Sequence, residues 1–332
     1  MNLFVINGNA LQIPLADKSV NMVVTSPPYY GLRSYGIGSE NGEIGLEQTP
    51  EEYVQKMVQV FREVWRVMKD DGTLWLNLGD SYAMSSMRGK DSPFNGLIDQ
   101  SYQGIVEIKK SIPQGLKPKD LIGIPWRVAF ALQTDGWYLR QDIIWHKPNP
   151  MPESVKDRCT KSHEYIFLLT KQAKYYYDYE AIMENAETSP HMPQNKNLAD
   201  GKNDNGHLEK RIWGKYKNLQ DDGQQPNTMH IKRLDGEEYL SPVRNKRSVW
   251  TVTTKPYKGA HFATFPQDLI IDCIKAGSKP GGLVLDPFNG SGTAGEVCAR
   301  LGRDYVGVEL NREYIGLTNE RLMQYKIQPE LI

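Results

Sequence analysis

The sequence Val284-Leu-Asp-Pro-Phe-Asn-Gly-Ser-Gly-Thr-Ala-Gly-Glu296 decides the fold class of this chain of 332 residues. Gly290, Gly292 and Gly295 form a Gly-x-Gly-x-x-Gly pattern between an apolar strand and a helical run. Glycines at this spacing let the backbone approach a ligand closely. An acid at the end of the next strand, here Glu309, can accept hydrogen bonds from ribose hydroxyls. The pattern predicts a β-α-β unit that binds a nucleotide-like cofactor.

Two features of this segment argue against a dinucleotide-binding fold. Only 37 residues follow Gly295, whereas a dinucleotide fold needs a second mononucleotide half after the first. The carboxylate of Asp286, just before the glycines, can pair with an amino or cationic group, as S-adenosylmethionine offers, but would repel a pyrophosphate. The other strands of the sheet must then come from upstream. A NAD-dependent oxidoreductase stays open as an alternative.

Strand-like and helical runs alternate along the chain, which predicts an α/β fold with a mostly parallel, twisted sheet. Because the glycine loop comes late, the strands are expected in a circularly rearranged order. Thr49 and Glu52 have the spacing of a capping box before an apolar helical run at 53–68. Further helices are predicted at 121–134 and 267–276, and strands at 19–25, 72–78, 138–145, 164–170, 282–286 and 304–309.

The composition narrows the class of protein. No apolar run approaches the roughly 20 residues that span a bilayer, and the first residues do not resemble a signal peptide, so we expect a cytoplasmic protein with no membrane partner. The three cysteines and six histidines lack disulfide or metal-site spacing, which predicts chemistry without a metal. Net charge is zero, but residues 101–175 carry 12 Lys and Arg against 7 Asp and Glu, so the middle of the chain suits an acidic partner.

A second decisive segment, Thr25-Ser-Pro-Pro-Tyr-Tyr30, follows the first predicted strand. Consecutive prolines fix two φ angles and remove two N–H groups, so the directions of the carbonyls are largely set. The Ser26 side chain and the Pro27 carbonyl can accept hydrogen bonds from an amino group, and Tyr29 offers a ring on which a base can stack. Two such acceptors would localise the lone pair of an exocyclic amine for attack on a sulfonium methyl. Taken in isolation, a rigid turn that packs an aromatic ring is the simpler interpretation.

Together, the segments 25–33 and 286–293 resemble the amino-methylating DNA methyltransferases of the β order. In that family the catalytic loop precedes the recognition region and the cofactor loop comes last. Further matching segments lie at 64–69, 72–80, 143–153, 261–266 and 303–311, so the resemblance covers most of the chain. It implies a Rossmann-like S-adenosylmethionine-dependent methyltransferase fold. It also implies an enzyme that transfers a methyl group from S-adenosyl-L-methionine to an exocyclic amino group of a DNA base.

The resemblance also implies the division of the chain. We predict a catalytic half over residues 1–185, with an excursion at 85–119, and a cofactor-binding half over residues 250–332. Residues 186–249, rich in Asn, Gln, Asp, Gly and Lys, form the predicted target-recognition insert. Polar connections of this length in a compact domain are usually functional or disordered, so a surface insertion without a recognition role is the alternative.

Site residues follow from the resemblance position by position. Ser26, Pro27 and Pro28 match the loop that binds the target amine, and Tyr29 matches the residue that stacks on the extruded base. For Asn77 and Asp80, a functional role and a core or capping role are both open. In the family's cofactor site, Glu309 matches the residue at the ribose, and Thr264 matches the residue at the carboxylate of the methionine end. The full set of matching residues is Asp286, Phe288, Gly290, Gly292, Glu309, Phe262, Thr264 and Pro266.

The first residue of the catalytic loop bears on the target base. Serine at this position resembles the subgroup that methylates cytosine N4, whereas aspartate is usual for adenine N6, so we predict cytosine N4 with adenine N6 as the alternative. Methylation at cytosine C5 is disfavoured because it needs an activated thiolate, and the chain has no Pro-Cys loop.

Double-stranded DNA is the predicted partner. A base inside a duplex cannot present its amino group to a buried methyl donor, so we expect the target nucleotide to be extruded. Lys147, Lys156, Arg158 and Lys161 surround a Pro-Asn-Pro-Met-Pro segment and are candidates for phosphate contacts, with an ordinary solvated basic face as the alternative. We expect a nucleoid-associated protein that acts as a monomer or a homodimer, and a cognate restriction endonuclease is a further candidate partner. A non-catalytic DNA-binding module is an alternative.

Overall fold

The computed structural model describes residues 1–31, 37–38, 42–83, 112, 115–185, 228–232, 238–254 and 265–326. The chain divides into two compact units, one formed by Met1–Asp178 with Arg247–Ile332 and the other by Tyr179–Lys246. The predicted excursion at 85–119 and the predicted insert at 186–249 lie largely outside the described residues, and their recognition role stays a prediction.

The larger unit is built on one eight-stranded sheet with the strand order β1-β11-β10-β2-β3-β5-β4-β9. Five of its pairings are parallel, and two, β3 with β5 and β5 with β4, are antiparallel. The mostly parallel α/β sheet is therefore confirmed. Its strands are β1 (Leu3–Asn7), β2 (Val20–Thr25), β3 (Met68–Leu78), β4 (Tyr138–His146), β5 (His163–Thr170), β9 (Val249–Thr251), β10 (Leu283–Asp286) and β11 (Asp304–Glu309).

The rearranged strand order is visible in the middle of this sheet. The late strand β10 lies between β11 and the early strand β2, with Val284 opposite Met22 and Leu285 opposite Val23. In a parallel pair both strands end at the same edge. The segment after β2 and the glycine loop after β10 therefore emerge side by side, although they are separated by most of the chain.

Five helices flank the sheet of the larger unit within the described residues: α1 (Pro50–Val67), α2 (Ile124–Thr134), α3 (Gln267–Gly277), α4 (Thr293–Arg300) and α5 (Arg312–Lys326). The predicted capping box at the start of α1 is confirmed, because the Thr49 side chain accepts from the Glu52 N–H and the Glu52 carboxylate accepts from the Thr49 N–H. The apolar face of α1 is fully buried, as three- and four-residue spacing requires.

Two boundaries differ from the predictions for local reasons. Strand β3 begins at Met68 rather than Gly72, so α1 passes directly into it. Helix α2 begins at Ile124 rather than Leu121, because Gly123 adopts φ 78° and Pro125 suits the first turn. The Asp80 carboxylate accepts from the N–H groups of Gly123 and Ile124, both at 3.0 Å, and so caps α2 from another element.

The smaller unit contains, among its described residues, a short 3-10 helix (Glu180–Ile182) and a three-stranded antiparallel sheet. The strands are β6 (Glu184–Asn185), β7 (Thr228–Lys232) and β8 (Glu238–Arg244), with β8 in the middle. An ion pair of 2.8 Å joins Arg244 to Glu184 across β6 and β8. No helix among the described residues of the chain is long and apolar enough to cross a membrane.

Candidate active site

The catalytic loop and the cofactor loop predicted from the sequence meet at one edge of the sheet. The Thr25 hydroxyl, at the end of β2, donates to Oδ1 of Asp286, at the end of β10, over 2.6 Å in a buried hydrogen bond. Because β5 runs antiparallel to β3, the start of β5 lies at this same edge, and so does the end of β4. Residues from four separate parts of the chain can therefore contribute to one site.

Ser26 and Tyr29 share a polar partner on β3. The Ser26 hydroxyl donates to Oδ1 of Asn77 over 3.2 Å, and the Tyr29 hydroxyl lies 3.2 Å from the same oxygen. The Asn77 amide in turn donates to the backbone carbonyl of Tyr165, over 3.0 Å. Since Ser26 uses its proton on Asn77, the lone pairs of its oxygen are left to accept a hydrogen bond from another donor.

A partly buried ion pair adjoins this cluster. The Tyr29 hydroxyl donates to Oε2 of Glu164 over 2.7 Å, and Oε1 of Glu164 is ion-paired with Lys147, whose ammonium lies 4.2 Å from the ring centroid of Trp145. The side chains of Glu164 and Lys147 are only 14% and 18% exposed. Burial and the charge of Glu164 raise the pKa of Tyr29 well above its ordinary value, so this hydroxyl stays protonated and acts as a donor.

The two proline carbonyls of the loop have different surroundings. The Tyr53 hydroxyl on α1 donates to the carbonyl of Pro28 over 2.8 Å. Among the described residues, no hydrogen bond uses the carbonyl of Pro27. One carbonyl thus anchors the loop to α1, and the other, beside Ser26, is available as an acceptor.

Gly79 lies directly against the ring of Tyr29. A Cβ atom added to Gly79 would lie 2.4 Å from Cε2 of Tyr29, which no real side chain allows. The backbone of Gly79 does not need glycine, since no left-handed φ is recorded for it. The absence of a side chain at this position is therefore what lets the Tyr29 hydroxyl reach Asn77 and Glu164.

Replacing Gly79 with Ala should displace the Tyr29 ring and lower methyl transfer by about 10-fold or more, because misplacement of a contact group by about 1 Å costs catalysis heavily. The initial rate of methyl incorporation into DNA measures this. Gly316→Ala is the matched control, since an added Cβ there meets nothing within 4 Å. Equal rates for Gly79→Ala and the unaltered protein would show that the position of the ring is irrelevant.

Hydrogen bonds that involve Glu309 and Asn289 stabilise the glycine loop. Gly290 and Gly292 adopt φ values of 52° and 78°, in the left-handed region that favours glycine. The Gly290 N–H donates to Oε2 of Glu309 over 2.7 Å, and the buried Asn289 amide donates to the hydroxyl of Thr318 over 2.9 Å. A Cβ on Gly290 would meet only the Phe288 carbonyl, at 3.9 Å, so the space above the loop is open to a ligand.

Asp286 is a buried carboxyl with one oxygen in use. Its side chain is 2% exposed, and Oδ1 accepts from the Thr25 hydroxyl and the Phe288 N–H. No hydrogen bond from the described residues reaches Oδ2. Burial raises the pKa of Asp286 to about 7, against the opposing effect of its two hydrogen bonds. Such a group is well suited to a ligand that brings a positive charge.

The remaining predicted cofactor residues divide into those at the loop and those near α3. Glu309 is buried and accepts from the N–H groups of Gly290 and Asn311, so it shapes the loop. Half-buried Phe288 packs on the hydrophobic core. Pro266 is the residue before α3, and its carbonyl accepts from the Leu269 N–H. Phe262 and Thr264 lie outside the described residues.

Comparison with known proteins identifies the family. The model of the N6/N4 DNA methylase family matches residues 20–320. The chain belongs to the N6/N4 DNA methylases. Among similar relatives, the type II methyltransferase M.SmaI of Serratia marcescens is 47% identical over 310 residues, which cover 93% of this chain and 86% of that protein. The type II methyltransferase M.Cfr9I of Citrobacter freundii is 46% identical over 317 residues, which cover 95% of this chain and 86% of that protein.

Solved structures of DNA methylases share the fold. The PvuII DNA methyltransferase (cytosine-N4-specific) superposes with a TM-score of 0.58 at 16% identity, covering 100% of this chain and 88% of that one. A putative DNA modification methylase from Thermus thermophilus, complexed with S-adenosyl-L-methionine, gives a TM-score of 0.54 at 19% identity. The superposition covers 98% of this chain and 94% of that one. The predicted Rossmann-like methyltransferase fold is confirmed.

As an N6/N4 DNA methylase, this enzyme uses S-adenosyl-L-methionine. The chemistry of the residues at the sheet edge fits that cofactor. Asp286 offers an unused carboxylate oxygen to a cationic or amino group, and the open space at Gly290 admits a ligand to the backbone. A nicotinamide dinucleotide would place its pyrophosphate near the same buried carboxyl, which electrostatics disfavours.

The four basic residues predicted to contact DNA have different environments in the methylase. Lys147 forms an ion pair with Glu164. Arg158 forms an ion pair of 2.6 Å with Glu153 and stacks on the ring of Tyr82. Lys156 is exposed, and burial lowers the pKa of Lys161. The structure thus places Lys147 inside the polar cluster, and leaves the other three on the segment that connects β4 to β5.

Sequence patterns did not single out Glu164 at all and left Asn77 undecided. A polar residue next to an apolar strand is common, and nothing local distinguishes Glu164 from the Glu and Lys residues on exposed loops. The weak signal available was its position, at the start of a strand predicted to lie at the edge that carries the two loops. Only the pairing of β5 with β3 puts its carboxylate beside Tyr29.

Proposed function

We propose that this DNA methyltransferase methylates the N4 amino group of cytosine in double-stranded DNA, with adenine N6 as the alternative target. The observation that carries the proposal is the hydrogen bond between Thr25 and Asp286, which joins the Ser-Pro-Pro-Tyr loop to the glycine loop. Ser at position 26, rather than the Asp usual in the N6 subgroup, favours cytosine N4.

The loop 26–29 is suited to activate an exocyclic amine. The lone pair of such an amine is delocalised into the base, which makes it a weak nucleophile. The Ser26 oxygen and the Pro27 carbonyl can accept hydrogen bonds from the two N–H groups of the amine and draw its nitrogen towards tetrahedral geometry. When bound, S-adenosyl-L-methionine supplies a methyl group on a positively charged sulfur. The loop then presents the localised lone pair on the cofactor side of the site.

Tyr29 and the ion pair behind it hold the target base in this proposal. The Tyr29 ring offers a stacking face, and its hydroxyl is fixed by Glu164 and Asn77. Lys147 pairs with Glu164, and their attraction offsets part of the desolvation cost of the largely buried carboxylate. Lys147 therefore acts inside the site, and phosphate contacts fall to Lys156, Arg158 and Lys161.

The cofactor is assigned to the glycine loop and its neighbours. Asp286 would bind the amino group of the methionine end, Glu309 the ribose hydroxyls, and the backbone at Gly290 and Gly292 would line the site. Phe288 and Pro266 would border it, together with Phe262 and Thr264, which lie outside the described residues.

Analysis of the methylated product tests the target base. Plasmid DNA is incubated with the purified protein and methyl-labelled cofactor and digested to nucleosides, which are identified by mass spectrometry. We expect N4-methylcytosine, and sequencing of the same DNA for modified bases gives the recognition sequence. Detection of N6-methyladenine alone would overturn the assignment of cytosine, and the absence of any methylated nucleoside would overturn the assignment of the site.

We further propose that the enzyme protects DNA from a restriction endonuclease of the same specificity, since its relatives are type II methyltransferases. Plasmid methylated by this protein should resist an endonuclease that cuts the identified sequence. Complete cleavage of the methylated plasmid by that endonuclease would contradict the proposal.

A further inference from the structure

The connection between β4 and β5 projects from the edge of the sheet that carries the candidate active site. Strands β4 and β5 pair up to His146 and His163, and the Lys147 N–H donates to the carbonyl of Ser162 over 2.8 Å. Beyond this pair the chain leaves the sheet. The base of the connection is linked to the target loop by side chains, through Lys147, Glu164 and Tyr29.

The first part of this connection has little conformational freedom. Prolines at 148, 150 and 152 fix alternate φ angles, and the residue before each proline is restricted as well. The Asn149 side chain donates to the Thr254 carbonyl over 3.1 Å and accepts from the Thr254 N–H over 3.0 Å. The segment 147–152 is therefore preorganised.

The second part is fixed by Glu153. Its carboxylate accepts from the guanidinium of Arg158 over 2.6 Å and from the N–H of Lys161 over 3.2 Å. Asn149 thus anchors the first part of the connection to Thr254, and Glu153 ties its middle to the residues that return to β5. Met151 lies between these two points.

Met151 is the most exposed large apolar side chain among the described residues, with 85% of its surface accessible. Burial in the protein therefore does not explain an apolar residue at this position. Thioether side chains are slim, polarisable and adaptable, and apolar side chains of this kind enter DNA between base pairs in proteins that distort the duplex.

The charges around Met151 favour an anionic partner. Both acids of this connection are neutralised, Glu153 by Arg158 and Asp157 by Lys119. Among the described residues, exposed Lys156 and half-buried Lys161 have no carboxylate within ion-pair distance. The connection therefore presents excess positive charge around an apolar tip, the combination expected for contact with phosphates on both sides of an inserted side chain.

We propose that Met151 inserts into the DNA duplex at the target site and occupies the space left by the extruded base. The proposal rests on the proposed function, because it needs a target base that leaves the stack. Extrusion costs stacking and pairing free energy, and an apolar side chain that fills the gap stabilises the extruded state. The rigid connection presents Met151 without an ordering cost at the time of binding.

Single-turnover methyl transfer to two duplexes tests the role of Met151. Both carry the recognition sequence found by sequencing, one with the target base paired and one with the target opposite an abasic site. We expect Met151→Ala to lower the rate on the paired duplex by about 10-fold or more, and to stay within about twofold of the unaltered protein on the abasic duplex, where extrusion costs little. Met151→Leu should keep most of the rate on both.

Met323→Ala is the matched control, since Met323 is 55% exposed on α5, away from this connection. Equal rates of Met151→Ala and the unaltered protein on the paired duplex would overturn the proposal, as would an equal loss on both duplexes. Failure of methyl transfer to DNA looks different, because the unaltered protein would then methylate neither duplex.

Discussion

Asp286→Asn is expected to weaken binding of S-adenosyl-L-methionine by about 100-fold, because removal of one partner of a buried charge pair typically costs about 2–5 kcal/mol. The substitution keeps the shape of the side chain and an oxygen that can still accept from Thr25 and from the Phe288 N–H. Only the carboxylate charge is lost, so the change separates charge from packing. Isothermal titration calorimetry with the cofactor measures the effect.

The same substitution should stabilise the protein without cofactor at alkaline pH. Burial raises the pKa of Asp286 from 3.8 to about 7, so the folded state holds a proton that the unfolded state has lost. The stability that the protonated carboxyl allows is complete below about pH 4, and it is lost as the pH rises to about 7. Removing the carboxyl should therefore raise the free energy of unfolding by about 1–3 kcal/mol at about pH 8 and less at about pH 5.

Cofactor affinity of the unaltered protein should follow the ionisation of the same group. Affinity for a cationic ligand rises with the ionised fraction of Asp286, so binding should strengthen from about pH 6 to about pH 8 and this dependence should vanish in Asp286→Asn. Asp71→Asn, which removes an exposed carboxylate on β3, serves as the control. Unchanged cofactor affinity in Asp286→Asn would remove Asp286 from the cofactor site.

Tyr29→Ala is expected to lower kcat/KM for methyl transfer to DNA by about 100-fold, since a base stacked on an aromatic ring contributes about 1–3 kcal/mol and the loop also loses its anchor. Tyr29→Phe should lose about tenfold, because it keeps the ring and gives up only the hydrogen bond to Glu164. The ring and the hydroxyl thus make separate contributions, with that of the ring the larger.

Steady-state kinetics on duplex DNA, with cofactor affinity measured in parallel, checks this order. Both variants should bind S-adenosyl-L-methionine as the unaltered protein does, because Tyr29 contacts the target side of the site. Tyr138→Ala, at the start of β4 on the opposite edge of the sheet, is the control. Equal losses for Tyr29→Ala and Tyr29→Phe would show that the hydroxyl alone matters and that the base does not stack on this ring.

Elements with strong local signals were predicted well from the sequence. The periodic apolar face and capping box of α1 were confirmed, as were β2, β4, β5, β10 and β11 to within two residues at each end. Strand β1 and helix α5 were not predicted. Phe4 of β1 is exposed, and α5 has a weak apolar face, so neither has a clear periodic pattern.

The conformations of the two loops of this enzyme follow from local sequence, because prolines at 27 and 28 and glycines at 290 and 292 restrict or permit backbone conformations there. Local sequence also determined the α/β class, through alternating strands and helices. Which side chains join those loops depends on how the strands pair in the folded chain. Glu164 and Asn77 reach Tyr29, and Lys147 reaches Glu164, through the antiparallel pairing of β5 with β3 and β4. Strand pairing between distant segments depends on the packing of the whole sheet, which no local pattern encodes.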